Sequence, residues 1–97
     1  MPAAHRHKDS CSGHGCWPPR KNRQASRDVY VNGKGFHRKT DAWPVHKCDK
    51  KSHPGITVGG SGTVSVNDKP AARIGDRIGG PNCGGVCLTG SGNVFVG

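Results

Sequence analysis

An internal repeat constrains this chain more than any other feature. Residues 29–43 (VYVNGKGFHRKTDAW) match residues 64–78 (VSVNDKPAARIGDRI), with Val29/Val64, Val31/Val66, Asn32/Asn67, Lys34/Lys69, Arg38/Arg73 and Asp41/Asp76 identical. Each copy reads as a valine-alternating strand, an Asn-Gly or Asn-Asp step, and a short second strand ending in Arg before Asp. That is the pattern of a tight β-hairpin with positive φ at its tip. A third, partial copy runs from Ser91 to Gly97, where SGN-VFVG parallels SGT-VSVN (61–67) and SRD-VYVN (26–32). It stops where the hairpin would turn. The N-terminal HRHKDSCSGHGC supplies a partner for it, because Asp9 precedes a His and Cys cluster as Asp41 does. Three units then close into a ring about a pseudo-threefold axis. The Gly-rich connectors 55–62 and 75–92 read as ordered loops, since Ser-Gly-x-Val recurs at equivalent points.

Composition agrees with this architecture. Of 97 residues 31% are hydrophobic and 5% aromatic, too few for a large apolar core. Gly 16 and Pro 7 disfavour helices, so the fold class is all-β. One domain is expected over 1–97, with residues 1–8 frayed. No apolar run reaches membrane-spanning length and the N-terminus lacks a signal-peptide pattern, so the expected location is soluble and cytoplasmic. The net charge of +9, concentrated before residue 52, attracts nucleic acid, anionic membrane or an acidic partner. A zinc-dependent nucleic-acid-binding module is therefore the alternative reading.

Five cysteines are an odd number, and six histidines accompany them. In a reducing compartment this points to metal binding rather than a disulfide framework. Counting from each Asp, His14 and Cys16 follow Asp9 by five and seven residues, His46 and Cys48 follow Asp41 likewise, and Cys83 follows Asp76 by seven. Loops related by a threefold axis meet on it, where one tetrahedral zinc takes four donors. Seven residues compete: His14, Cys16, His46, Cys48, His53, Cys83 and Cys87. The chosen set is His14, His46, His53 and Cys83, leaving His5, His7 and His37 as surface residues. One structural zinc contributes on the order of 10–16 kcal/mol in small domains, comparable to a domain's whole stability. A closed four-ligand site has no place for water. A Cys16 or Cys48 nucleophile with His14 or His46 as base has no legible oxyanion hole, so no enzyme is expected. Arg38, Arg73, Asp41 and Asp76 are assigned structural roles, and Trp17 and Trp43 are placed at the flank as packing residues.

The chain resembles the PAAR-repeat family, whose name is spelled by Pro70-Ala71-Ala72-Arg73. SGHGCWPPR (12–20), VNGKGFHR (31–38), DAWPVHKC (41–48), VNDKPAARIGD (66–76), NCGG (82–85) and GSGNVFVG (90–97) extend the resemblance over almost the whole chain. Gly35-Phe36-His37-Arg38 departs from the pattern in the first copy. The resemblance implies a small β-rich cone whose base docks on a trimeric β-helical spike, the VgrG protein of type VI secretion or the central spike of a contractile phage tail. It also implies a zinc near the point, held by histidines and a cysteine. The implied role is structural: sharpening the spike for membrane puncture, with transient membrane contact and attachment of effector proteins. Length leaves no room for a toxin extension. Symmetry adds that one chain would serve one trimer, the strands VYV, VSV and VFV meeting the spike by β-augmentation with valines over its apolar end.

Overall fold

Both Asn-led tips take left-handed backbone: Asn32 and Gly33 at φ 55° and 76°, Asn67 and Asp68 at 54° and 64°. Two consecutive positive φ values make the type I′ turn, whose twist suits the flanking strands. The computed structural model describes residues 1–13, 17–48, 51–79 and 84–97, with 46–48 and 51–52 entering only as strand positions. Its strands are β1 (Tyr30–Val31), β2 (Lys34–Gly35), β3 (Ala42–Cys48), β4 (Lys51–Thr57), β5 (Ser65–Val66), β6 (Lys69–Pro70) and β7 (Ile78–Gly79). β1 pairs with β2, β5 with β6, and β3, β4 and β7 form one antiparallel sheet in that order. The fold is all-β, with no helix among the described residues.

The third hairpin is assembled from the two ends of the chain. Ala3 pairs antiparallel with Phe95, as Gly35 pairs with Tyr30 and Pro70 with Ser65. The three units then close on one another through the backbone. His5 N–H donates to Ala72 O (3.1 Å), Ala72 N–H to His37 O (2.9 Å) and His37 N–H to His5 O (3.1 Å), a triangle in which every member is both donor and acceptor. That triangle defines the pseudo-threefold axis. The chain measures 37 × 24 × 21 Å, with two nearly equal short dimensions as such an axis requires.

The expected Arg and Asp roles hold, and a third pair joins them. Arg6, Arg38 and Arg73 each donate from Nε to Oδ2 of the Asp three residues on, at 2.8, 2.8 and 3.2 Å, and from Nη2 to its Oδ1 at 3.2, 2.9 and 2.9 Å. The same Oδ2 accepts the arginine's own backbone N–H, so each carboxylate clamps one turn. Bidentate, charge-assisted geometry of this kind fixes orientation as well as adding energy. Nη1 reaches onward to the neighbouring unit: Arg6 to Asn32 Oδ1, Arg38 to Asn67 Oδ1, Arg73 to Gly97 O.

Three serines complete the ring. Ser26, Ser61 and Ser91 accept the N–H of the valine three residues on (3.0, 2.9 and 2.9 Å), and their hydroxyls reach Asn67, Gly97 and Asn32 of the next unit. Ser91→Ala removes one buried inter-unit bond and leaves Val94 N–H without its acceptor. The expected cost is about 1–2 kcal/mol, read from urea unfolding, and Ser26→Ala should match it.

Two apolar clusters lie along the axis. One holds Ala4, Val31, Phe36, Val66, Ala71 and Val96; the other holds Cys11, Trp43, Ile78 and Cys87. Cys11, Trp43 and Ile78 each stand two residues after a clamping Asp, so the second cluster is threefold in position though not in size. His5 and His37 lie between, adjacent in sequence to Ala4 and Phe36 and packed on the Trp43 ring at 5.4 and 5.5 Å. Two expectations are corrected here. His5 and His37 are fully buried rather than at the surface, because both line the axis. Trp43 is likewise buried at the centre and not on the flank. Near the N-terminus Ala4 and His5 are buried, and their N–H groups bond Val94 O and Ala72 O.

Candidate functional site

Past each clamping Asp the chain leaves the ring in a loop with antiparallel limbs. Ser10 faces Lys21 in the first, Ala42 faces Ile56 in the second, and Arg77 faces Val86 in the third. The second is the long β3–β4 hairpin, in which a register shift between Trp43 and His46 brings His46 directly opposite His53. The first and third loops are laced together. Ser12 N–H donates to Val86 O (3.0 Å), and Val86 N–H donates to Ser12 Oγ (3.0 Å). Gly13 (φ 68°) and Gly85 (φ 93°) allow this approach: a Cβ on Gly85 would stand 2.9 Å from Gly13 O.

Of the chosen zinc ligands, His14 and Cys83 lie outside the described residues, as does Cys16. His46, like Cys48, is placed by strand register alone. His53 is buried. Its Nδ1–H donates to Pro54 O at 2.8 Å, and its ring meets Trp17 edge-on at 5.1 Å. Cys87 is not near His53 in chain pairing; it lies opposite Cys11 in the second apolar cluster. Among the described residues, no group of three or more His, Cys, Asp or Glu is placed to hold a metal.

Sequence reasoning missed Arg20. Its Nη1 donates to Pro44 O and to His53 O (3.3 Å), tying the first loop to both limbs of the second, and its guanidinium lies 5.7 Å from the centre of the Trp43 ring. No repeat or spacing marks it, because neither of the other units carries an equivalent. It missed Arg6 as well, although Arg6 stands three residues before Asp9 as Arg38 does before Asp41.

The opposite end of the axis carries the symmetric apolar positions. Val29, Val64 and Val94 are 36%, 37% and 37% exposed, while the valines two residues on are buried. Tyr30 and Phe95 are exposed beside them. The carbonyls of Val29, Val64 and Val94 accept the N–H of Phe36, Ala71 and Ala4 within their own hairpins, so what these positions offer a partner is apolar side chain.

Comparison with known protein families matches residues 12–80 to the PAAR motif. The chain belongs to the PAAR-motif family. The matched span covers both complete hairpins and the Arg38–Asp41 and Arg73–Asp76 clamps. The PAAR-motif architecture continues beyond it, since Arg6–Asp9 and the Ala3–Phe95 pairing build the third unit on the same plan. PAAR-motif proteins are associated with the spike tips of injection machines and are known to bind metal. No curated protein matched the chain. Among the described residues no helix is long and apolar enough to cross a membrane.

Proposed function

We propose that this protein caps and sharpens a trimeric β-helical spike, one chain per trimer, and catalyses nothing. The observation that carries this reading is the closed backbone triangle of His5, His37 and Ala72. A single chain with that symmetry can offer three like contacts to three subunits, which an asymmetric chain cannot. Val29, Val64 and Val94, exposed alike at equivalent positions, are the apolar contacts; burying them against the spike end removes apolar area from water on all three sides at once. Before assembly the protein would be cytoplasmic, and afterwards it would travel at the spike tip, carrying any attached effector to the target membrane.

At the other end, His14, His46, His53 and Cys83 would hold one zinc ion. The residues fit the ion in three respects. Imidazole and thiolate are its donors, the Nδ1 bond to Pro54 orients the His53 ring, and His46 faces His53 across the ladder. The ion would supply a closed cross-link among three loops. The chain's own residues do the rest: Arg20 ties the first loop to the second, and the Gly13–Gly85 approach ties the first to the third.

The test is sedimentation of the protein with a purified trimeric spike fragment, at low and high salt and with and without chelator. One chain per trimer is expected, persisting at high salt, with binding weakened at least about tenfold by Val29→Asp, Val64→Asp and Val94→Asp together. Absence of a complex, or full binding by the triple variant, overturns the docking claim. Undiminished stability and binding after complete metal removal overturns the zinc claim alone.

A further inference from the structure

We infer that Cys11 and Cys87 form a latent cross-strand disulfide site, open in a reducing environment and closed by exchange with a small-molecule disulfide. The two residues are antiparallel bridge partners from opposite ends of the chain. The flanking hydrogen bonds say which kind of partners they are. Ser12 N–H donates to Val86 O (3.0 Å) and Leu88 N–H donates to Ser10 O (2.9 Å), so the bonds bracket the pair and do not join it. This is the non-hydrogen-bonded position of an antiparallel ladder, where Cα atoms stand about 4.5 Å apart and side chains come closest. A disulfide requires Cα atoms roughly 4.4–6.8 Å apart, so the backbone already satisfies it. Both thiols are free and buried in one apolar cluster, so forming the bond moves neither sulfur out of its surroundings. Cys11 Sγ is further oriented by the N–H groups of Gly13 (3.4 Å) and Arg20 (3.3 Å), which both donate to it.

The chemistry balances with oxidised glutathione as the oxidant. Cys11 attacks its S–S bond, forming a mixed disulfide and releasing one glutathione thiol. Cys87 then attacks the Cys11 sulfur, closing the protein disulfide and releasing the second. Two protein thiols are oxidised, one small disulfide is reduced to two thiols, and both protons leave with the glutathione. Burial, with the nearby Asp76 charge, pushes the Cys87 thiol up to about 12, so exchange is slow in the closed state and proceeds when the two flanking hydrogen bonds open. Neither the bond nor its test depends on the spike reading.

The experiment equilibrates the metal-loaded protein in an oxidising glutathione buffer, quenches with acid and alkylates the remaining thiols under denaturing conditions. Trypsin leaves Cys11 with Cys16 and Cys83 with Cys87 in shared peptides, so tandem mass spectrometry must assign the individual residues. One Cys11–Cys87 bond is expected. Because it closes most of the chain into a loop, Tm should rise by about 10 °C or more and fall back on reduction. Alkylation of both residues at equilibrium, or pairing of either with Cys16, Cys48, Cys83 or glutathione, overturns the inference. Cys11→Ser must abolish the Tm rise; if that variant fails to fold, the peptide assignment on the unmutated chain decides alone.

Discussion

Trp43→Ala is expected to destabilise the protein by about 4–5 kcal/mol, enough to leave a domain of ordinary stability near its unfolding midpoint. Trp43 has no exposed surface, and its counterparts in the other two units, Cys11 and Ile78, are smaller. One large ring thus fills space on the axis that three equal side chains could not share. Its removal opens a cavity bounded by His5, His37 and Arg20, polar groups unable to collapse into it without losing their own partners. A polar loss adds to this. Trp43 Nε1–H donates to Thr57 Oγ1 (2.9 Å), whose hydroxyl donates to His37 Nε2 (2.7 Å), so deletion takes one donor from a buried chain. Trp43→Phe keeps most of the packing and removes the N–H, and should cost roughly 1–2 kcal/mol. Urea unfolding followed by circular dichroism measures both. A Trp43→Ala loss below about 1 kcal/mol would show that the ring carries no packing role.

The hairpins were legible because their signals are local: Asn32-Gly33 and Asn67-Asp68 demand positive φ, and Ser-Gly-x-Val repeats where Ser61 and Ser91 now bond across units. The third unit was legible from Asp9, which precedes a His and Cys cluster as Asp41 does, although Arg6, which completes its clamp, went unread. The burial of His5 and His37 was not. A solvated histidine and a satisfied buried one look alike in sequence, and what distinguishes these two is a set of partners far along the chain. His5 Nδ1–H donates to Thr89 O (2.7 Å) and its Nε2 accepts from Asn22 Nδ2 (3.0 Å), while His37 Nδ1–H donates to Gln24 O (2.7 Å). Their counterpart in the unit of residues 64–78 is Ala72, so the repeat itself carries no hint of a polar layer. Trp43 was misplaced for the same reason: its symmetry mates are not aromatic. For the proposed zinc ligands, the spacing from Asp9, Asp41 and Asp76 marked three segments whose limbs do pair. The choice among donors was not legible, because no periodicity in the sequence distinguishes His from Cys there.

Acid is expected to destabilise the protein through this histidine layer. Burial, then the neighbouring His5 and Arg38, pull His37 down to about 3 against the opposing pull of Gln24 O and Asp41, and burial also lowers His5 despite Thr89 O, Asp9 and Asp76. Every ring nitrogen of the two already has a partner suited to the neutral form, and a second proton on His37 would face the Thr57 hydroxyl that now donates to it. The unfolded chain binds a proton on each histidine below about pH 6.5, whereas the folded chain does not. Stability is therefore complete above about pH 6.5 and is lost as pH falls from there, for His37 toward 3 and by up to about 1.4 kcal/mol per pH unit, with His5 acting in the same direction. By pH 5 the His37 share alone amounts to roughly 2 kcal/mol. Ligand histidines would respond with the same sign, so the decisive comparison is between the unmutated chain and His37→Asn under identical metal conditions. The variant costs stability at neutral pH but should have a shallower slope between pH 6.5 and 4, by close to one proton. Parallel slopes for the two proteins would mean that His37 takes up its proton in the folded state, and that the axis of the ring is wetter than its burial indicates.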